Sequence, residues 1–401
     1  MNSSPRPSTD WKLAILLIAA GITAATQIGK VPPALPEIRA ELGVSLRAAG
    51  WFVSLVSLIT ASAGVLIALA ADRIGHRRLV IFGLFLGSAA SAGGALAHST
   101  TLLFALRVLE GVGFISVAIS APSLILRVTA PADTRQMMGY WGAYLPAGAG
   151  AMALASAGML PWLSWHAVWW LSAALLLVAA LSVAMSRAGS GDNAIPIPPG
   201  RSLRRDAGTT LKSPGPLAIG ICFALYSSSW FALIGFLPTL QVETLGFSIP
   251  LAAGVGAGVI AINICGSVAA GLLLQRGVPR FAILSGTALI MAATAALVFL
   301  DWLPPAARLA MAFVFSATAS AIPGALFAAI AVHAPRPDLV GATNGVLMQC
   351  SNFGVLVGPP AVAALVSAGD WSWAVLYTTP ALLLSIVPAW VLHRREAMKV
   401  K

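Results

Sequence analysis

Arg107 and Glu110 are the residues of this chain whose types and spacing best suit chemistry. They stand three residues apart in the otherwise apolar run LRVLEG. Residues at this spacing share one face of a helix, so the two side chains can form a local ion pair. Lys30 is the third ionisable residue deep in an apolar segment, and Gln27 lies one turn before it. Glu110 is therefore the one carboxylate of these segments that could carry a proton.

Two interpretations of the Arg107–Glu110 pair are open. In the first, Glu110 exchanges a proton or a substrate charge with Arg107. In the second, a static ion pair holds its helix in register. An ionised group in hydrocarbon costs about 3 kcal/mol or more unless it faces a cavity or a partner, and a buried ion pair adds little net stability. The pattern therefore favours the functional interpretation.

Three further pairs of aromatic or amide residues lie about one turn apart in apolar segments and could line a pocket. Planar organic ligands bind well to walls that mix aromatic and polar side chains. Packing alone is the alternative for each aromatic residue. The pairs are Tyr140 with Tyr144, Tyr226 with Trp230, and Gln349 with Asn352.

The composition indicates a protein that crosses a membrane many times. Hydrophobic residues make up 58% of the 401 residues, charged residues make up 9%, and the mean hydropathy is +0.89. So few charges cannot cover the surface of a water-soluble domain. A membrane-spanning helix needs about 20 apolar residues. We predict twelve spans, near residues 12–33, 47–71, 79–97, 101–126, 137–160, 166–186, 216–241, 250–274, 281–300, 307–333, 340–366 and 372–392.

The distribution of positive charge predicts the orientation of these spans. Cytoplasmic segments of membrane proteins are enriched in Lys and Arg. With both termini in the cytoplasm, most of the 24 basic residues fall inside, and the outer segments hold Arg39, Arg47 and Arg308. The net charge of +11 thus reflects topology rather than binding to nucleic acid. Six tryptophans at outer span ends are interpreted as an interfacial belt: Trp162, Trp165, Trp169, Trp302, Trp371 and Trp373.

The chain repeats itself, which predicts two similar halves. The stretch that begins at Leu35 runs Leu-Pro, then Leu-Gly-x-Ser, then Ala-Ala-Gly, and so does the stretch that begins at Leu237. A Pro- and Gly-rich polar segment separates the two copies and has the composition of a flexible linker. We predict a cytoplasmic N-terminus (1–11), a first six-helix bundle (12–186), a linker (187–215), a second bundle (216–392) and a cytoplasmic tail (393–401).

Other functional classes lack their signatures. The three cysteines lie in apolar spans without paired spacing. The chain has no His-Glu-x-x-His motif, no phosphate-binding Gly-rich loop and no Ser/His/Asp set within the spans. We therefore expect no enzymatic activity, no metal site and no cofactor.

The octapeptide ADRIGHRR, residues 71–78, lies between two apolar spans. It resembles the loop between the second and third helices of Major Facilitator Superfamily transporters, G-x-x-x-D-R-x-G-R-R. Asp72, Arg73 and Gly75 match that pattern. Ala68 stands in place of its first Gly and His76 in place of the first closing basic residue, with Arg77 and Arg78 behind it. The resemblance implies a conformational latch, in which Asp72 and Arg73 bridge helices while the cytoplasmic side is shut.

The run around Arg107 also resembles the superfamily's fourth-helix pattern R-x-x-Q-G-x-G, with Glu110 in place of Gln. Helices one and four line the central cavity in that family. The resemblance thus implies that Lys30, Gln27, Arg107 and Glu110 share a cavity. Two cations and one acid would favour an anionic or electron-rich substrate. The alternative for Lys30 is that it extends to the outer membrane interface.

These features imply an all-α major facilitator fold of twelve helices and a transport function. We expect a monomer in a bacterial-type inner membrane that moves a small organic solute by alternating access, coupled to protons. In its compact length and its short turn between helices two and three, the chain resembles the cyanate-permease-like branch of the superfamily, whose members take small anions and nitro-aromatics. A multidrug efflux antiporter and a non-transporting sensor on the same scaffold are the alternatives.

Overall fold

The apolar segments form long helices in the computed structural model of the chain. The structure describes residues 9–62, 67, 71, 74–130, 133, 137, 140, 141, 143–186, 203–336 and 339–400. Those ranges contain helices, turns and short connections, without a strand. Ten helical stretches within them are long and apolar enough to cross a membrane, and a shorter apolar helix covers Leu46–Ser62. The all-α fold class is thus confirmed, while the count of twelve spans stays a prediction.

Seven helices have both ends within the described residues before the linker, and residues 58–62 are helical as well. Ser45 and Ser99 cap two of them by accepting hydrogen bonds from the backbone amides of Ala48 and Leu102. A 3-10 turn, Leu55–Ser57, follows the third helix. The helices are α1 Trp11–Gly29, α2 Val31–Leu42, α3 Leu46–Ser54, α4 His76–Ala95, α5 Thr100–Arg127, α6 Tyr144–Met159 and α7 Trp165–Met185.

The described residues from 203 onward form ten helices. A 3-10 turn, Trp371–Ala374, precedes the last two. The helices are α8 Leu203–Lys212, α9 Pro214–Leu245, α10 Ile249–Ala261, α11 Ile264–Gln275, α12 Arg280–Phe299, α13 Pro305–Ala319, α14 Ala321–His333, α15 Val340–Ala368, α16 Val375–Leu384 and α17 Ile386–Val400.

The first helical stretch is longer than its predicted span of 12–33. It runs from Trp11 to Leu42 and is interrupted by a turn at Lys30. Pro32 and Pro33 open α2 and have no backbone N–H, so they fit the start of a new helix. Within the predicted fifth span of 137–160, Tyr144–Met159 form a helix, and Met137, Tyr140 and Trp141 are helical as well.

Glycines bring equivalent helix pairs close together in the two parts of the chain. A Cβ on Gly29 would lie 2.0 Å from the backbone oxygen of Ala149, so α1 and α6 meet at van der Waals distance. A Cβ on Gly358 would lie 2.1 Å from the backbone oxygen of Ser228, which sets the same close approach of α15 to α9. Small residues at helix contacts permit such packing inside a bilayer.

We call residues 9–186 the first part of the chain and residues 203–400 the second part. The two parts meet at one end of the bundle. There α2 packs against α9 and α10, α6 packs against α10, and α3 packs against α15. A Cβ on Gly50 would lie 3.0 Å from the backbone oxygen of Pro359. Arg39 of α2 forms an ion pair with Glu243 of α9. We call this end, which carries α2 and the Arg39–Glu243 pair, the closed end.

We predict that Gly358→Ala destabilises the protein, because the new methyl group would overlap the backbone of α9 and overpacking costs about 1–3 kcal/mol. Thermal unfolding of the purified protein in detergent measures the effect. Gly286→Ala is the matched control, since a Cβ on Gly286 of α12 meets nothing within 4 Å. Equal melting temperatures of the two variants would contradict the proposed tight contact between α9 and α15.

Candidate functional site

The carboxylate of Glu110 joins two buried cations. Its Oε1 lies 2.5 Å from Lys30 Nζ, and its Oε2 lies 2.8 Å from Arg107 Nη1. The three residues are at most 2% exposed. The local Arg107–Glu110 pair expected from their spacing is therefore present. Lys30 comes from the junction of α1 and α2, so the cluster ties the first helical stretch to α5.

Neutral groups supply further hydrogen bonds to the cluster. Ser91 of α4 accepts a hydrogen bond from Lys30 Nζ at 2.8 Å and one from Gln27 Nε2 at 3.0 Å. Its own hydroxyl lies 3.0 Å from Glu110 Oε1, within donating distance. Arg107 Nη1 donates to the backbone oxygen of Gln27 at 2.6 Å. The predicted residues Gln27, Lys30, Arg107 and Glu110 thus form one network, to which the structure adds Ser91.

Two aromatic rings cover the cations of this network. Lys30 Nζ lies 4.5 Å from the ring centre of Trp169, and Arg107 Cζ lies 5.8 Å from that of Phe52. Both distances are in the range of cation–π attraction. The two rings stack on each other with centres 6.4 Å apart. They replace part of the water that the cations lose on burial.

The prediction of an interfacial belt is wrong for Trp169 and Trp165, which are 1% and 0% exposed. Trp165 donates its indole N–H to Glu41 at 2.7 Å, and Trp169 faces Lys30. A tryptophan near a span end can face either the membrane interface or the protein. Its position along the chain alone does not distinguish the two.

Lys30 does not extend to the membrane interface in this structure, since its side chain is fully buried and bonded to Glu110 and Ser91. With Lys30, Arg107 and Glu110 all ionised, the cluster carries one excess positive charge. A buried charge in a low dielectric is costly without a partner. The site therefore favours a negative or electron-rich group nearby.

A small cavity lies between the two parts of the chain next to this cluster. Its volume is about 20 Å³, which is room for about one water-sized group. Arg107 is its charged lining residue, and Trp230 of α9 lines it from the second part. The other lining residues are Ile28, Gly29, Val31, Pro32, Val53, Val56, Ala149, Phe231, Ile234, Gly235 and Ile260.

The other predicted pocket aromatics divide into buried and exposed residues. Tyr226 and Trp230 are buried on α9, and the ring of Tyr226 lies 5.8 Å from that of Phe223. Tyr144 at the start of α6 stacks on Trp141 with ring centres 4.3 Å apart. Tyr140 is 49% exposed. Trp230 is thus the one of these aromatics that lines the cavity at the closed end.

Gln349 and Asn352 lie half-buried on α15. The side-chain amide of Asn352 donates to the backbone oxygen of Met348 at 2.9 Å, within its own helix. A ligand would have to compete with that hydrogen bond. The place of Gln349 and Asn352 in a substrate pocket stays a prediction.

The predicted latch is described only in part. Asp72 and Arg73 lie outside the described residues. Gly75 has a φ of 96°, a conformation that favours glycine, and it precedes α4. Arg77 donates to the backbone oxygens of Ala184 and Ser186 at 2.8 and 3.1 Å. It therefore caps the C-terminal end of α7 within the first part.

Arg78 is exposed at the start of α4. The latch role of Arg77 and Arg78 stays a prediction.

The sequence model of the Major Facilitator Superfamily matches residues 13–359. The chain belongs to this superfamily. Its fold is that of a bacterial homologue of the human lysosomal transporter Spinster, solved in an inward-facing and occupied conformation. The TM-score is 0.75 at 16% identity over 98% of this chain and 96% of that chain. The same homologue in an inward-facing and unoccupied conformation gives a TM-score of 0.72.

Relatives in sequence include two drug-resistance proteins and a cyanate transport protein. The chain is 30% identical to a puromycin resistance protein of Streptomyces alboniger, over 56% of this chain and 44% of that one. It is 24% identical to a cyanate transport protein of Escherichia coli strain K12, over 57% of this chain and 58% of that one. The chain thus spans about half the length of these two relatives. A chloramphenicol resistance protein of Streptomyces lividans is 28% identical over 87% of this chain and 86% of that one.

The charges of the cluster predict an order of stability for two variants. Glu110→Gln leaves two buried cations without a carboxylate, and breaking a buried ion pair in this way costs about 3–5 kcal/mol. Lys30→Met leaves the neutral Arg107–Glu110 pair intact and should cost less. Thermal unfolding in detergent at neutral pH measures both. A larger loss of stability for Lys30→Met than for Glu110→Gln would contradict the assignment of excess positive charge to this site.

Proposed function

We propose that this chain is a proton-coupled secondary transporter of a small organic solute, with anionic or electron-rich solutes favoured. The observation that carries the proposal is the sharing of the Glu110 carboxylate by Lys30 and Arg107 inside the helix bundle. A carboxylate held by two cations at membrane depth is poorly explained by stability alone.

Protonation of Glu110 supplies the coupling. The protonated carboxyl is neutral, so it holds Lys30 and Arg107 far less tightly than the carboxylate does. The cluster then carries two positive charges instead of one, and its attraction for an anion rises. A proton on Glu110 and an anion beside the cations therefore favour each other's binding. Release of either on the opposite side of the membrane favours release of the other.

Alternating access would move the two parts of the chain about this site. We assign the closed end to the outer side, following the predicted orientation with both termini in the cytoplasm. The solved relative's inward-facing conformations agree with that assignment. Opening toward the outside would separate Arg39 from Glu243 and shut the cytoplasmic end, where Asp72 and Arg73 belong. The two six-helix bundles, residues 12–186 and 216–392, are the moving bodies of this proposal.

The relatives support two substrate classes. The cyanate transport protein agrees with the positive cluster and an anionic substrate. The puromycin and chloramphenicol resistance proteins support the second candidate function, efflux of drug-like organic molecules. A single excess positive charge beside an apolar cavity favours the anion over a cationic drug, because like charges repel.

Uptake by proteoliposomes with an imposed pH gradient tests the proposal. We expect the wild type to accumulate one of cyanate, benzoate, chloramphenicol or puromycin in response to the gradient. Glu110→Gln should abolish the response to the gradient, because it removes the proton acceptor. Asp301→Asn is the matched control, since the Asp301 side chain is 93% exposed and belongs to the second part, outside the Glu110 cluster.

Undiminished gradient-driven uptake by Glu110→Gln would refute the coupling role of Glu110. The direction of the gradient that drives accumulation separates an importer from an exporter. Reconstitution at increasing dilution also tests the predicted monomer, whose activity per molecule should stay constant.

A further inference from the structure

We propose that Arg107 and Trp230 form a subsite for one oxygen atom of a monovalent organic oxyanion, such as a carboxylate. The subsite is the small cavity between the two parts of the chain at the closed end. The inference rests on the proposed function and deepens it, because it names the chemical class of the substrate's head group and the donors that hold it.

Two unsatisfied donors carry the proposal. Arg107 Nε and Trp230 Nε1 are buried N–H groups without a hydrogen-bond partner. Both residues line the same cavity, and they are 2% and 9% exposed. Arg107 Nη1 is already engaged by Glu110 and by the backbone oxygen of Gln27. Buried N–H groups are nearly always paired in proteins, so two unpaired ones beside one cavity indicate a ligand acceptor.

The charge of the site selects an anion over a neutral acceptor. Lys30 and Arg107 share one carboxylate, which leaves one positive charge in excess when all three residues are ionised. The other side chains that line the cavity are apolar and supply no counter-charge. A monovalent anion neutralises this excess, and hydrogen bonds from N–H groups to a charged oxygen are stronger than those to a neutral one.

The volume of the cavity limits what enters it. About 20 Å³ admits one water-sized group. One oxygen of an oxyanion fits this space, whereas an aromatic ring does not. The subsite therefore recognises the head group, and the body of the substrate lies outside it.

The subsite also joins the two moving parts. Arg107 belongs to α5 in the first part, and Trp230 belongs to α9 in the second. An oxygen can accept from both residues only while the closed end is shut. It therefore binds that conformation more tightly than a conformation in which the two parts have separated. Differential binding of this kind shifts the population toward the favoured conformation. Substrate binding would thus promote closure of this end.

Matched acids and amides test the subsite in the purified full-length protein. The probes are acetate with acetamide, and benzoate with benzamide, whose dissociation constants come from ligand-dependent shifts in thermal unfolding. We expect the acids to bind at least tenfold more tightly than the amides. Trp230→Phe keeps an aromatic ring but removes the N–H, so it should weaken acid binding about tenfold and leave amide binding unchanged.

Trp302→Phe is the control, because Trp302 is 74% exposed and lies away from the cavity lining. Arg107→Lys provides a second variant that keeps the positive charge but removes the guanidinium N–H groups, and it should also weaken acid binding. Equal weakening of acids and amides by Trp230→Phe would overturn the subsite. Failure of both acids to bind the wild type would overturn it as well and would assign the cavity to water only.

These outcomes are separable from those of the proposed function. If Glu110→Gln retains proton-driven uptake while Trp230→Phe selectively weakens acid binding, the coupling role fails and the subsite stands. If Glu110→Gln loses the response to the gradient while Trp230→Phe binds acids normally, the subsite fails and the coupling role stands.

Discussion

One carboxylate shared by two buried cations is the interaction on which this structure depends. Glu110 neutralises part of the charge of Lys30 and Arg107, and without it both cations would be unpaired away from water. The cluster draws its members from the junction of α1 and α2, from α4 and from α5. Its hydrogen bonds therefore constrain how the helices of the first part pack. In the proposed function, the same constraint places the chargeable Glu110 beside the substrate.

Glycines make this arrangement possible by letting backbones approach the cluster closely. A Cβ on Gly111, next to Glu110, would lie 2.3 Å from the backbone oxygen of Val56. A Cβ on Gly29, next to Lys30, would lie 2.0 Å from that of Ala149. Larger residues would push α5 and α1 away from their neighbours and open the site to lipid or water. Tight packing thus keeps the cluster dry, and a dry site strengthens its electrostatic interactions.

The repeat preserves the scaffold but not the charge cluster. Arg308 is the counterpart of Arg107, and each stands fifteen residues before a proline of its helical stretch. Although predicted in an outer segment, Arg308 is 3% exposed within α13 and donates to the backbone oxygen of Val298 at 2.9 Å. Its acidic partner, Asp301, has a side chain that is 93% exposed. The proposed coupling chemistry therefore belongs to the first part, while the second contributes Trp230 to the proposed subsite.

The sequence by itself determined the all-helical membrane fold, because apolar composition and span length leave few alternatives in a bilayer. It also determined the Arg107–Glu110 pair, because neighbours on one helix face are set by helical geometry. Only the tertiary structure decided that Lys30 joins Glu110, and that Ser91 and Trp169 complete the site. Those contacts join residues far apart in the chain, and their side chains could equally have faced lipid, since helical period alone does not select the neighbouring helix.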